Sequence, residues 1–191
     1  MFILPSLFIY SGLSNHFQRK VFILNTNDLR YLKTEKILKD SYYTIKKKRA
    51  PINLAMLCKE AMINKSTFYK HYETLETFEH TIRKEYIKEI LYQSDYIDCA
   101  FDNTRMYYTW IVNAIDAHWD EIEILFSDDY SKVTDIIEEV VLDRYSKRGI
   151  SEEQKLIIKF ITGGSTRTML YSNKKEAIDV ISQIMEKITI K

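Results

Sequence analysis

Between Asn64 and Tyr72 the chain reads NKSTFYKHY, a stretch crowded with groups that can form hydrogen bonds. Taken as a helix, it sets Phe68 and Tyr72 four apart and facing inward, and leaves Lys65, Ser66, Tyr69 and Lys70 outside. The lysines can meet guanine or phosphate, and the serine can meet a base edge or the backbone. A short helix anchored by two aromatics and presenting Lys, Ser, Tyr and Lys suits the DNA major groove. The plain alternative is a solvated helix face.

The residues just before this stretch supply a support for it. Leu54, Leu57, Cys58 and Ala61 fall at i, i+3, i+4 and i+7, the apolar face of a short helix with Asn53 as its cap. Met62-Ile63 breaks the period, and Asn64 caps a second helix expected over residues 65–72.

With its turn, this pair of helices resembles the TetR family of one-component transcriptional regulators. The carrying residues are Asn64-Lys65-Ser66-Thr67-Phe68-Tyr69-Lys70-His71-Tyr72, close to the family's S-K-x-T-L/F-Y-x-Y-F recognition helix. The match runs from about Leu32 to Leu91 and continues more weakly, in register, to the C-terminus. The resemblance implies that Thr67, Tyr69 and Asn53 meet phosphates. Asn64 and His71, inside the matched stretch, join them in the expected DNA-contacting set. Two positions depart from the family pattern: Met62 stands at the turn glycine, where φ > 0 is unfavourable for a side chain, and Leu75 stands where a phosphate-touching lysine is common.

Charge is distributed unevenly. Of 191 residues with net charge +1, the segment from Arg30 to Tyr72 has eleven cations and three anions, a net +8, against −7 for the rest. A basic module joined to an acidic one fits nucleic-acid binding by the first. The run Lys46-Lys47-Lys48-Arg49 belongs to this basic module, with a solvated loop as its bland reading.

Four Gly, two Pro and almost no strict alternation predict an all-α fold of about nine helices. The expected division is an extension over 1–28, a helix-turn-helix DNA-binding head over 29–76 and a ligand-binding and dimerisation body over 77–191. The apolar start, Met1 to Leu13, lacks a basic leader and is too short to span a bilayer; residues 1–28 read as an extension, or as the product of an upstream start codon. Cys58 and Cys99 read as reduced thiols of a cytoplasmic protein. On the first head helix, about residues 29–47, Ile37, Leu38, Ser41, Tyr42 and Ile45 mark the expected inner face. A long helix capped by Thr74 joins head to body without a flexible linker, as a ligand-controlled switch requires.

In the body, Tyr107, Tyr108, Trp110, His118 and Trp119 form an aromatic cluster, read either as the wall of a small-molecule pocket or as core packing. Gly163-Gly164-Ser165-Thr166 lacks the spacing and lysine of a phosphate loop. The resemblance places this pair in the penultimate helix, allowing close approach at a homodimer interface. Ile178, Ile181 and Met185 recur at helical spacing on the last helix and are expected in the same interface, a four-helix bundle.

No cofactor or metal is expected, because His16, His71, His80 and His118 are scattered without ligand spacing. Nothing pairs a nucleophile with a base, and Asp120-Glu121 and Asp128-Asp129 read as helix-start and turn charges, so no catalytic residue is assigned. The resemblance implies a repressor that binds an operator as a homodimer and is released by a small-molecule effector. Two alternatives stand beside it: a co-activator-type relative needing a ligand or protein partner, and a helical binding module or enzyme with a vestigial head.

Overall fold

The computed structural model describes residues 29–99, 103–171 and 174–187; the extension expected over 1–28 lies outside them. Nine α-helices and one 3-10 helix account for the described elements, with no strand among them. They are α1 (Leu29–Lys47), α2 (Leu54–Glu60), α3 (Lys65–Phe68), α4 (Leu75–Leu91), the 3-10 helix (Asp95–Cys99), α5 (Thr104–Ala117), α6 (Trp119–Phe126), α7 (Ser131–Ser146), α8 (Glu152–Tyr171) and α9 (Lys174–Lys187). No helix among the described residues is long and apolar enough to cross a membrane.

The first three helices enclose a small aromatic core. On α1, Leu38, Tyr42 and Ile45 recur at i, i+4 and i+7, and all are buried. Ile37, expected on that face, is 45% exposed, because the buried stripe runs through Leu38, Ser41, Tyr42 and Ile45 and leaves Ile37 outside it. Leu57 and Cys58 of α2 close the core from one side and Phe68 of α3 from another. Phe78, near the start of α4, is the hub: Phe68, Tyr72 and Tyr42 meet its ring edge-to-face at centroid distances of 5.8, 4.8 and 5.4 Å.

Helix α4 continues into the second core. Ile82, Ile87, Ile90 and Leu91 are buried there with Arg83. It packs against α7, which lies in turn against α8; α5 packs against α9, α4 and the 3-10 helix. Phe78 and Ile82 share one continuous rod, so the small core and the large one are joined without a hinge loop.

Candidate nucleic-acid interface

Each helix of the α2–α3 pair starts on a side-chain cap that satisfies an otherwise unpaired amide. Asn53 Oδ1 accepts from the Met56 amide at 3.0 Å. Asn64 Oδ1 accepts from the Thr67 amide at 2.7 Å, from Thr67 Oγ1 at 2.8 Å and from Ser66 Oγ at 2.7 Å. Between the helices the chain reverses at Met62 with φ +52, the left-handed conformation expected where the family pattern has glycine. The Met62 side chain is 93% exposed, so no burial offsets the backbone strain.

Regular helix in α3 ends at Phe68, shorter than the 65–72 expected. Tight hydrogen-bonded turns carry the chain onward: the Lys70 amide donates to the Thr67 carbonyl at 3.1 Å and the His71 amide to the Phe68 carbonyl at 2.9 Å. Phe68 is fully buried and Tyr72 half-buried. Asn64, Lys65, Ser66, Tyr69 and Lys70 are exposed, Thr67 is half-buried, and Asn53 is exposed at its cap.

His71 is placed differently from these. Its side chain is 5% exposed, its Nδ1 lies 2.6 Å from Glu35 Oε1, and its ring stacks on Tyr31 at 4.1 Å. The Tyr72 hydroxyl donates to the other oxygen of Glu35. Burial and the Glu35 carboxylate together push the Tyr72 phenol well above its ordinary range, so it stays a donor. Glu35 on α1 thus fixes the end of the α3 segment through two side chains. In this position His71 serves to hold the segment rather than to present a ring to a partner.

The basic run at the end of α1 is divided: Lys46 turns into the fold, while Lys47, Lys48 and Arg49 are exposed. Lys46 is buried and its Nζ lies 2.7 Å from Asp128 Oδ1. Arg49 pairs with Glu123 at 3.6 Å, and Lys48 lies 3.9 Å from Glu60. Lys39 pairs with Glu85 on α4. Part of the positive charge counted in the first segment, that of Lys39 and Lys46, is therefore paired with carboxylates of α4 and the α6–α7 turn. Sequence alone gives no sign of it, since Asp128 lies 82 residues from Lys46. Lys65 and Lys70 form no ion pair among the described residues.

The aromatic cluster divides into separate environments. Tyr107 and Tyr108 are 2% exposed and pack edge-to-face at 4.9 Å, as core residues; burial pushes the Tyr108 phenol up to about 12. Trp119 stacks on Tyr130 at the surface. Trp110 and His118 line an open groove of about 730 Å³ along α5, with Gln93, Tyr96, Thr109 and Asn113. The structure thus keeps two of the five expected pocket residues together at one concave surface.

The residues expected at a dimer interface are also divided. A Cβ at Gly163 would lie 3.1 Å from Glu138 Oε2, the end of a flexible side chain on α7, so this glycine faces α7 within the chain. A Cβ at Gly164 would meet nothing within 4 Å, and the residue is exposed. Ile181 is buried and Ile178 half-buried against the chain's own core. The side chain of Met185 lies outside the described residues. Among the described residues, the large apolar side chains left uncovered on these helices are Leu156 and Phe160 of α8, 67% and 76% exposed, and Val180 and Ile184 of α9, 53% and 50% exposed. In the single chain α9 thus carries apolar residues on two faces, one turned to the chain's own core through Ile178 and Ile181 and one exposed through Val180 and Ile184.

Comparison of the chain with family profiles, curated proteins and solved structures finds no match.

Proposed function

We propose that this protein is a sequence-specific DNA-binding transcriptional regulator of the TetR type, acting as a homodimer. The observation that carries the proposal is the α2–turn–α3 unit: Phe68 and Tyr72 anchor it, while Lys65, Ser66, Tyr69 and Lys70 remain on its outer side. The capping of both helices and the Glu35 clamp hold those side chains on a rigid frame, as insertion into a groove requires.

A homodimer through α8 and α9 supports this reading in two ways. It covers Leu156, Phe160, Val180 and Ile184, which the single chain leaves in water. It also gives the two-fold symmetry of a palindromic operator, with half-site centres about 34 Å apart or a multiple of that. The α5 groove is the place for a small-molecule effector, since its volume of about 730 Å³ falls in the range of ligand sites. Repression relieved by such an effector is the mode proposed.

The test is binding of the full-length protein to the DNA upstream of its own operon, followed by fluorescence anisotropy. Lys65→Ala and Tyr69→Ala should each weaken binding by about 1–3 kcal/mol if each makes a specific contact. Unchanged affinity of both folded variants would refute the proposal.

A further inference from the structure

The hydrogen bonds at Asn64 fix which groups the α3 segment has left to offer a partner. Its Oδ1 accepts three times, from the Thr67 amide, Thr67 Oγ1 and Ser66 Oγ, at 2.7, 2.8 and 2.7 Å. The Thr67 amide determines which end of the Asn64 side chain is oxygen, since a reversed amide would set NH₂ against a backbone N–H, and with oxygen there both hydroxyls donate. The NH₂ end is therefore a donor group whose own oxygen is occupied. The Ser66 and Thr67 hydroxyl hydrogens are used as well, which leaves lone pairs only. Lys65 and Lys70 are exposed and carry donors without acceptors. The His71 Nδ1 is held by Glu35 with the side chain 5% exposed.

With the exposed Tyr69 hydroxyl able to donate or accept, these assignments bear on one reading in particular, that of adenine by an amide. Adenine is read bidentately by an amide that accepts from N6 and donates to N7 at once, which requires a free amide oxygen. Asn64 is the sole amide between residues 64 and 72, and its oxygen is taken. Guanine shows two acceptors, O6 and N7, in the major groove, and an ammonium group can meet both.

From this geometry we infer that the exposed edge from Asn64 to Lys70 reads guanine, through Lys65 and Lys70, and has no amide reader for adenine. The inference rests on the DNA-binding function proposed above. The operator half-site accordingly contains at least one guanine opposite these lysines, and Asn64 acts as a positioning residue with a donor amine.

The experiment uses the full chain and a library of random duplexes, from which bound sequences are enriched. In the best duplex, each guanine is then replaced by 7-deazaguanine and each adenine by 7-deazaadenine, which removes only the N7 acceptor. At least one guanine per half-site should weaken binding about fivefold or more when replaced. That loss should vanish in Lys65→Ala or in Lys70→Ala, while adenine replacements stay below about twofold. The inference is overturned if an adenine carries the large effect and the guanines do not, or if the guanine effect survives in both lysine variants. A library that enriches no sequence would remove the DNA-binding function itself, a result distinguishable from enrichment without guanine.

Discussion

Arg83 on α4 donates from Nη2 to both carboxylate oxygens of Asp128, at 2.7 and 2.9 Å, across 45 residues of sequence. Its Nε donates to the Leu125 carbonyl at 3.0 Å, and its guanidinium lies over the Phe126 ring. The same Asp128 receives Lys46 from α1. One carboxylate in the α6–α7 turn therefore ties α1 and α4 to the body. Arg83 is 2% exposed, so the pair is held on one side in a region with little water.

Removing the arginine should be costly, because Glu79 and Asp128 would then be left with Lys46 as their one shared cation and the Leu125 carbonyl would lose its donor. Arg83→Ala is expected to destabilise the protein by about 3 kcal/mol, the lower end for a buried pair because Asp128 is partly solvated. Urea unfolding followed by circular dichroism measures it. A loss under about 1 kcal/mol would show that the pair contributes little.

Asp128 also predicts a pH dependence. Burial pushes its carboxyl up, but hydrogen bonds from Lys46 and Arg83 outweigh this and hold it down at about 2. A depressed folded-state value means stability that is present above the unfolded value, about 3.9 for aspartate, and lost as pH falls toward about 2. The stability gap between wild type and Asp128→Asn should be full at neutral pH and close across that window. Unfolding midpoints at a series of pH values test it; a gap that stays constant down to the lower limit would contradict the assignment.

Met62 holds φ +52 with its side chain in water. Met62→Gly should stabilise the protein by about 0.5–1 kcal/mol, the relief of left-handed strain exceeding the added freedom of the unfolded chain. A thermal midpoint below that of wild type would refute this account of the turn.

The two faces of α9 should respond differently to charge. Val180→Glu on the uncovered face of α9, or Phe160→Glu on the exposed side of α8, should leave a folded chain that sediments as a monomer, with operator affinity lost. Ile181→Glu buries a carboxylate in the chain's own core and should lower the unfolding midpoint itself. Sedimentation and melting of the three variants separate these outcomes. Dimers undisturbed by charge at both Phe160 and Val180 would exclude this face as the interface.

Salt dependence should distinguish cations that face DNA from those paired with carboxylates of the chain itself. Lys65→Ala or Lys70→Ala should reduce the slope of log K against log salt by about 1 for each phosphate that the variant no longer neutralises. Arg49→Ala and Lys48→Ala should leave the slope unchanged, since these side chains pair with Glu123 and Glu60. Equal changes from both sets would mean that the whole basic run meets the nucleic acid.

Local signals in the sequence located most of the helix starts, though not the early end of α3 at Phe68 or the 3-10 helix at Asp95–Cys99. Asn53, Asn64 and Thr74 are caps because a short polar side chain before an apolar period can reach an amide three residues on, a relation confined to one turn. The burial of Phe68 beneath an outer row of Lys65, Ser66, Tyr69 and Lys70 was legible in the same local spacing, whereas the left-handed turn at Met62 was expected only from the resemblance, which sets a glycine there. What the tertiary structure alone decided depends on partners distant in sequence. The charge of Lys46 was visible, but not its burial against Asp128; His71 lay inside the motif, but its capture by Glu35 needed α1 to cross the α3 segment. Ile181 and Val180 are both apolar on an amphipathic helix, and only the packing of α9 on α5 determines which of them meets the core and which meets water. Periodicity fixes the angle between side chains on one helix, whereas the rotation of that helix against its neighbours is set by the summed packing of the fold.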